Sequence, residues 1–420
     1  MMRGRVNLCA DRIWGTALAA LLAFAPLLLG SRFQLGLMSQ MCAMAVFALS
    51  YNLLLGQTGM LSFGHAVYAG LGGFAVVHLL RAMETGAFTL PVAMLPLAGG
   101  LASAAFAALI GHPTTRRGGT PFAMISLAIG ELVHAAAAML PEWFGGEGGL
   151  TADRTAGPAL FRGMEAVFSL GPDTNIYYLT AFWTVASAIA MRALGRTPLL
   201  MLANAVRDNP QRVAFVGQNP HLVRYGMLVL AAFFAGIAGA LWALNFEIAS
   251  VDGLGMERSA IVLLAVVVGG SGFFLGPVLG AVVVTLFSVA LSRYTGAWQL
   301  YLGLAFAATV LFAPHGLAGA VHGLARRIAG KGAAAVVRES GWGAVGTLAL
   351  ALGLCWAVEL AYAAVHAQAE AASPASPMHW MLDPSAAGAW AGAACLSLGG
   401  AACLAYRRTR SSAAQGARDG

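Results

Sequence analysis

Residues 51–66 read Tyr51-Asn52-Leu53-Leu54-Leu55-Gly56-Gln57-Thr58-Gly59-Met60-Leu61-Ser62-Phe63-Gly64-His65-Ala66, a glycine-dense break in a run with no charged residue between Arg32 and Arg81. A helix needs about 20 apolar residues to cross the hydrocarbon layer. The run is long enough for two spans, near 34–55 and 61–80, with the break between them. Similar runs lie near 13–30, 88–111, 121–140, 176–194, 226–248, 259–291 and 297–313. The stretch 259–291 is too long for one straight span, and Gly269-Gly270-Ser271-Gly272 divides it into two, making ten helices before residue 330. Two more apolar segments, near 342–366 and 386–406, form an added hairpin. The fold class is therefore all-α, a polytopic transmembrane bundle of about 10 core helices with glycine-broken segments. Residues 1–330 form the transmembrane domain, and residues 331–420 a C-terminal extension with two extra segments.

Composition agrees. The chain has 420 residues, 59% hydrophobic and 10% charged, with a mean hydropathy of +0.76, whereas a soluble domain is about 25% charged. That excludes a soluble, disordered or nucleic-acid-binding protein and makes lipid the main solvent. The five cysteines form no C-x-x-C pair, so neither a disulfide framework nor a metal site is expected. Residues 13–30 follow Arg3, Arg5 and Arg12 as a signal peptide would. The small-x-small site Ala23-Phe24-Ala25, however, runs into Pro26 inside the apolar stretch, so the segment reads as a span. Arginine sets the orientation. Residues 192–224 carry Arg192, Arg196, Arg207, Arg212 and Arg224 against Asp208 alone, which assigns them to the cytoplasm, whereas 141–175 has no basic excess. Both termini are then cytoplasmic.

Backbone breaks at membrane depth survive only where protein or a watery cavity satisfies the freed N–H and C=O groups. The translocation-path candidates are thus Gly56, Gln57, Gly59, Ser62, Gly64 and His65 in the first break and Gly269, Gly270, Gly272, Gly276 and Pro277 in the second. Both breaks share a G-x-x-G followed by another glycine, which hints at a duplicated unit. For any single glycine, close helix packing is the better reading. A third glycine cluster, Gly145 to Thr151, reads as an outside loop or a flexible linker. Glu131 joins the path candidates. With His134, three residues on, it suits a polar path or proton relay, and equally a structural hydrogen bond.

In the cytoplasmic stretch, Asp208 or Asn209 caps a short helix whose first residue is Pro210, and Gly217 closes it. With Arg207, Arg212 and the apolar residues 213–216, this segment suits docking into a groove on a soluble partner, or rest on lipid headgroups. No phosphate loop, H-E-x-x-H or G-x-S-x-G motif is present. An enzyme is disfavoured, leaving a transporter or channel subunit driven by a partner ATPase, a stand-alone ion-coupled carrier, or a membrane scaffold in which the glycine breaks are only packing.

The residues 51–66 closely resemble the N-L-L-x-G-x-x-G-x-L-S-x-G-H-A element of the branched-chain amino acid ABC transporter permeases, the LivM-type subunits. Arg117-Gly118 with Phe122 to Ala128 and Glu131, Gly145 to Thr151, Arg207 to Gly217, Phe234 to Leu241, Gly269 to Pro277 and Leu311 to Leu317 resemble further family motifs in the same order. The resemblance covers roughly residues 35–320. It implies an inner-membrane permease that forms half of a path for branched-chain or related amino acids. The implied partners are a LivH-type second permease, two cytoplasmic ATP-binding subunits and a periplasmic solute-binding protein. ATP would bind those partners, with no cofactor on this chain. By the same resemblance Arg207, Asp208, Asn209, Pro210, Arg212 and Gly217 form the ATPase-coupling segment. The loops near Gly145 to Thr151 and Asp252 to Arg258 would receive the binding protein. Phe273-Phe274 and Met256-Glu257 depart from the family pattern, and urea or short-chain amides remain alternative solutes.

Overall fold

The computed structural model describes residues 31–87, 89–155, 170–293, 295–313, 315–331, 349–362 and 390–399, with isolated residues 22, 26, 346 and 364. They form two compact units, Met1–Leu286 with Ala308–Gly319, and Phe287–Ala307 with Ala320–Gly420. The first contains helices α1 (Arg32–Thr58), α2 (His65–Glu84), α3 (Leu95–Thr114), α4 (Thr120–Met139) and α5 (Asp173–Leu194). It continues through α6 (Pro198–Asp208), α7 (Pro210–Phe215), α8 (Pro220–Phe246), α9 (Met256–Gly269) and α10 (Gly276–Thr285).

Local chemistry sets the ends of these helices. Ser31 and Gln34 form a reciprocal capping box at the start of α1. Its far end is Gly59 in the left-handed region (φ 68°), which only glycine adopts without cost. Proline opens α6, α7 and α8, where a missing N–H costs nothing. The Asn209 and Asn219 side chains accept from the amides of Arg212 and His221 at 3.1 and 3.0 Å.

Helices α1 and α8 are central. In each, 78% of the apolar window is buried, against 28% in α4, whose Leu132 and Met139 face outward. The α8 helix packs on α1, α2 and α3, and its small residues permit backbone contact. A Cβ on Gly239 would stand 1.7 Å from the Ala69 carbonyl oxygen, and one on Gly236 2.5 Å from that of Gly99. Glycine at these positions serves packing rather than passage, as small-residue faces commonly do in membranes.

Among the described residues six helices are long and apolar enough to span a membrane, or up to eight if each of two bent pairs counts as one span. The expected spans over 34–140, 176–194 and 226–248 correspond to α1 to α5 and α8. The second starts at His65 rather than 61, because residues 59–64 are not helical. The stretch 259–291 is divided as its glycines predict, α10 continuing through a π turn (Leu286–Ala290) to Arg293. Almost all of the expected span 13–30 lies outside the described residues.

Helices α11 (Trp298–Phe312) and α12 (Gly316–Lys331) contribute to both units. The second unit also holds two short apolar helices, α13 (Ala349–Tyr362) and α14 (Trp390–Gly399), in the C-terminal extension. The Tyr301 hydroxyl donates to Glu359 Oε1 at 2.7 Å, fastening α13 to α11. Glu359, whose purpose the sequence leaves without account, is thus an acceptor holding the extension to the second unit. A Cβ on Gly353 would meet Ser397 Oγ at 2.5 Å, so α13 and α14 also touch through small residues.

Candidate functional site

Each glycine break opens at a helix end capped by a positive-φ glycine, Gly59 (φ 68°) after α1 and Gly270 (φ 103°) after α9. A short non-helical segment follows, and a new helix starts beyond Gly64 or Leu275. In the first, residues 59–64 turn back along α1, so that His65 meets Ser50 two turns above the α1 end, with Nε2 to Oγ at 3.0 Å. The His65 ring is fully buried, stacked on Phe47 at 5.4 Å and edge-on to Tyr51 at 5.1 Å. That makes it a packed polar residue of the break; among the described residues no metal-ligating cluster exists. Ser62 is buried, and Gly64 lies so close to α4 that a Cβ would stand 2.2 Å from the Ser126 carbonyl oxygen. The Phe63 amide donates to Ser126 Oγ at 3.0 Å, one of the protein partners a broken backbone requires at this depth.

In the second break α9 and α10 fold back on each other. A Cβ on Gly269 would lie 2.0 Å from the Gly276 carbonyl oxygen, one on Gly276 2.0 Å from that of Gly270, and one on Gly270 2.3 Å from that of His315. Pro277 is buried in the first turn of α10. Gly272 differs, with open space around it. Phe274, one of the departures from the family pattern, lies beneath the Arg192 guanidinium, 5.1 Å from ring centre to Cζ.

The two breaks and the arginine-rich segment converge. A Cβ on Gly56 would stand 3.1 Å from the carbonyl oxygen of Ser271, so the first break leans on the second. Helix α6 bends by 70° from α5 and crosses beneath the end of α1. From it, Arg207 Nη1 donates to the Gly56 carbonyl, and Asn204 Nδ2 to Gln57 Oε1 at 2.9 Å. The Arg207 stem passes 3.1 Å from where a Gly59 Cβ would be, so a side chain there would displace it. Sequence reasoning placed Arg207 in a cytoplasmic segment but missed α6 as a helix and Asn204 as a contact. The only local signal was Pro198 ahead of an amphipathic run.

The α7 helix matches its expected start and caps, with Asn209 rather than Asp208 as the cap, and Gly217 (φ 81°) closing it. Asp208 and Arg212 are exposed, and Phe215 and Val216 project outward at 90% and 79% exposure. With only Val213 of α7 buried, these exposed residues on and beside the capped turn are a presented surface. Glu131 and His134 do not act as a pair in the fold. His134 Nδ1 faces the Val251 carbonyl at 3.2 Å, the structural hydrogen bond, while Glu131 is exposed on α4 beside Gly130, which packs on Gly64.

At the opposite end, Leu150–Thr151 (β1) pairs antiparallel with Ile248–Ala249 (β2), so the third glycine cluster is built structure rather than a linker. Arg154 bridges Glu247 and Asp173 at 3.4 and 3.5 Å, and Arg81 Nε donates to the Thr151 carbonyl at 2.8 Å. The Thr155 amide and hydroxyl donate to Asp153 and hold its carboxyl below the usual carboxylate range.

A profile of the family described as branched-chain amino acid transport system / permease component matches residues 34–314. The chain is 26% identical over 288 residues to the Escherichia coli protein named high-affinity branched-chain amino acid transport system permease protein LivM, covering 65% of this chain and 67% of that one. It is 28% identical over 291 residues to the Salmonella typhimurium protein of the same name, with the same coverage. No solved structure gives a match.

Proposed function

The chain belongs to the branched-chain amino acid transport system permease family, and from that premise we propose that it is the transmembrane permease subunit of an ATP-binding-cassette importer. In this reading it forms half of a path for branched-chain or related small amino acids. A homologous second permease supplies the other half, two cytoplasmic ATPase subunits supply energy, and a periplasmic binding protein delivers solute. The observation that supports it most is the link from the outward-facing α7 turn, through α6, to the Gly56 carbonyl at the first break. An ATPase gripping Phe215 and Val216 would move α6 as a lever. Arg207 and Asn204 would pass that movement to Gly56 and Gln57, and Gly56 to the second break at Ser271. A packed backbone junction of this kind switches between discrete arrangements rather than deforming smoothly.

The orientation that follows puts α6 and α7 in the cytoplasm and the β1–β2 end outside, where its joined loops would receive the binding protein. The test is co-purification from native membranes in mild detergent, comparing wild type with Phe215→Asp. Wild type that brings down an ATPase, with the variant reaching the membrane but eluting without it, supports the importer. Wild type that elutes alone and carries solute into liposomes on a pH gradient overturns it in favour of an ion-coupled carrier.

A further inference from the structure

Arg258 takes no part in the lever. It stands in the first turn of α9 with its guanidinium carbon 4.0 Å from the centre of the Trp242 ring on α8. Among the described residues no carboxylate and no hydrogen-bond acceptor partners it, and the neighbouring Glu257 forms no ion pair with it. Its neighbours draw it inward, away from the outer loop in which Asp252 to Arg258 are expected to receive the binding protein: Leu254 lies against Gly70 of α2. Trp242 meets Phe47 edge-on at 5.4 Å, and Phe47 lies near the middle of the 27-residue α1, a helix about 40 Å long at 1.5 Å per residue. The next residue, Ser259, accepts from the Ala66 amide at 2.9 Å, which ties the turn to the start of α2 at the first break.

A charge near the middle of a bilayer is expensive, and such residues pair or mark solute pathways. An aromatic face eases that cost without supplying a counter-charge. The α9 N-terminus adds to the positive potential. Gly255 provides no side-chain cap, so the first-turn amides have no side-chain acceptor, and Met256 and Glu257 beside them are exposed. A half-buried guanidinium in the same helix turn as amides that lack a side-chain cap has the donor set that a planar carboxylate accepts.

We propose that Arg258, seated on Trp242 at the start of α9, binds the carboxylate of the solute as it passes the first break. This inference rests on the importer reading and deepens it, because it requires a solute bearing a carboxylate rather than urea or a neutral amide. Trp242 fixes the guanidinium plane, and the exposed Glu257 offers an acceptor for the ammonium of an amino acid.

The experiment is initial-rate uptake of radiolabelled leucine by cells expressing the complete transporter, with wild type, Arg258→Lys, Arg258→Gln and Arg258→Met. ATPase co-purification is measured on the same membranes. The expected result is a loss of tenfold or more in leucine uptake with Gln and Met, a smaller loss with Lys, and unchanged ATPase association. Leucine uptake within twofold of wild type in the neutral variants overturns the assignment. So does failure of both neutral variants to reach the membrane, since that makes Arg258 a structural cation. Failure of the underlying reading looks different. Wild type that carries urea or acetamide but no amino acid overturns the solute class, and wild type without an associated ATPase overturns the importer.

Discussion

Replacing Gly64 by alanine tests whether the first break is a close-packed joint. Gly64 has φ −101°, a conformation alanine adopts freely, so no backbone strain enters and the cost comes from contact alone. The new Cβ would stand 2.2 Å from the Ser126 carbonyl oxygen and 3.1 Å from its carbon. Both are backbone atoms of α4, which cannot rotate aside as a side chain can. Relief requires α4 to move off by roughly 1 Å, an overpacking that costs about 1–3 kcal/mol. The same movement strains the 3.0 Å bond from the Phe63 amide to Ser126 Oγ, worth about 1 kcal/mol net. Together these lower the melting midpoint by roughly 5 °C, read by fluorescence-detected gel filtration after heating. Gly272→Ala is the internal control, because its Cβ meets nothing within 4 Å and its midpoint should stay within about 1 °C of wild type. Equal stability of Gly64→Ala and wild type, or an equal loss in Gly272→Ala, would refute the reasoning.

Arg207→Gln should leave the permease in the membrane but cut uptake at least tenfold, because it removes the donor to the Gly56 carbonyl while sparing the α7 surface; normal uptake would dissolve the lever. Gly239→Ala, with its Cβ 1.7 Å from the Ala69 carbonyl oxygen, should separate α8 from α2 and lower the level of folded protein several-fold, measured by the monodisperse gel-filtration peak. Tyr301→Phe removes the donor to Glu359 and should cost about 1–1.5 kcal/mol, seen as faster proteolysis of the extension; an unchanged digestion time course would show that the hydrogen bond does not hold it. Arg154→Gln breaks the bridges to Glu247 and Asp173, and partial exposure of the acids limits the loss to about 1 kcal/mol, checked by the same heating assay in low and high salt, the difference from wild type shrinking as salt rises.

Much of the fold is legible in the chain because membrane insertion depends on local composition. Apolar run length locates α1 to α5 and α8 without knowledge of what each touches. The breaks are legible too, since glycine clusters interrupt runs that would otherwise continue. Asn209, Pro210 and Gly217 define α7 through capping chemistry that acts within four residues. The functions of individual residues are less legible. Gly64, Gly239 and Gly272 look alike in the sequence. Gly64 proves to be a joint with α4, Gly239 a contact between two central helices, and Gly272 a free turn residue. Glu131 and His134 are neighbours by helical spacing, yet His134 turns to the Val251 carbonyl and Glu131 to the surface.

The sequence by itself determined that this protein is a helical membrane protein with two glycine breaks and an arginine-rich elbow, because hydrophobic length, helix caps and glycine conformation are local properties. Only the tertiary structure decided that the elbow grips the first break at Gly56, that the first break leans on the second at Ser271, and that Arg258 rests on Trp242 without a carboxylate partner among the described residues. Those contacts join residues from 16 to 215 positions apart. Their partners are chosen by how the helices pack around α1 and α8, which no short window of sequence contains.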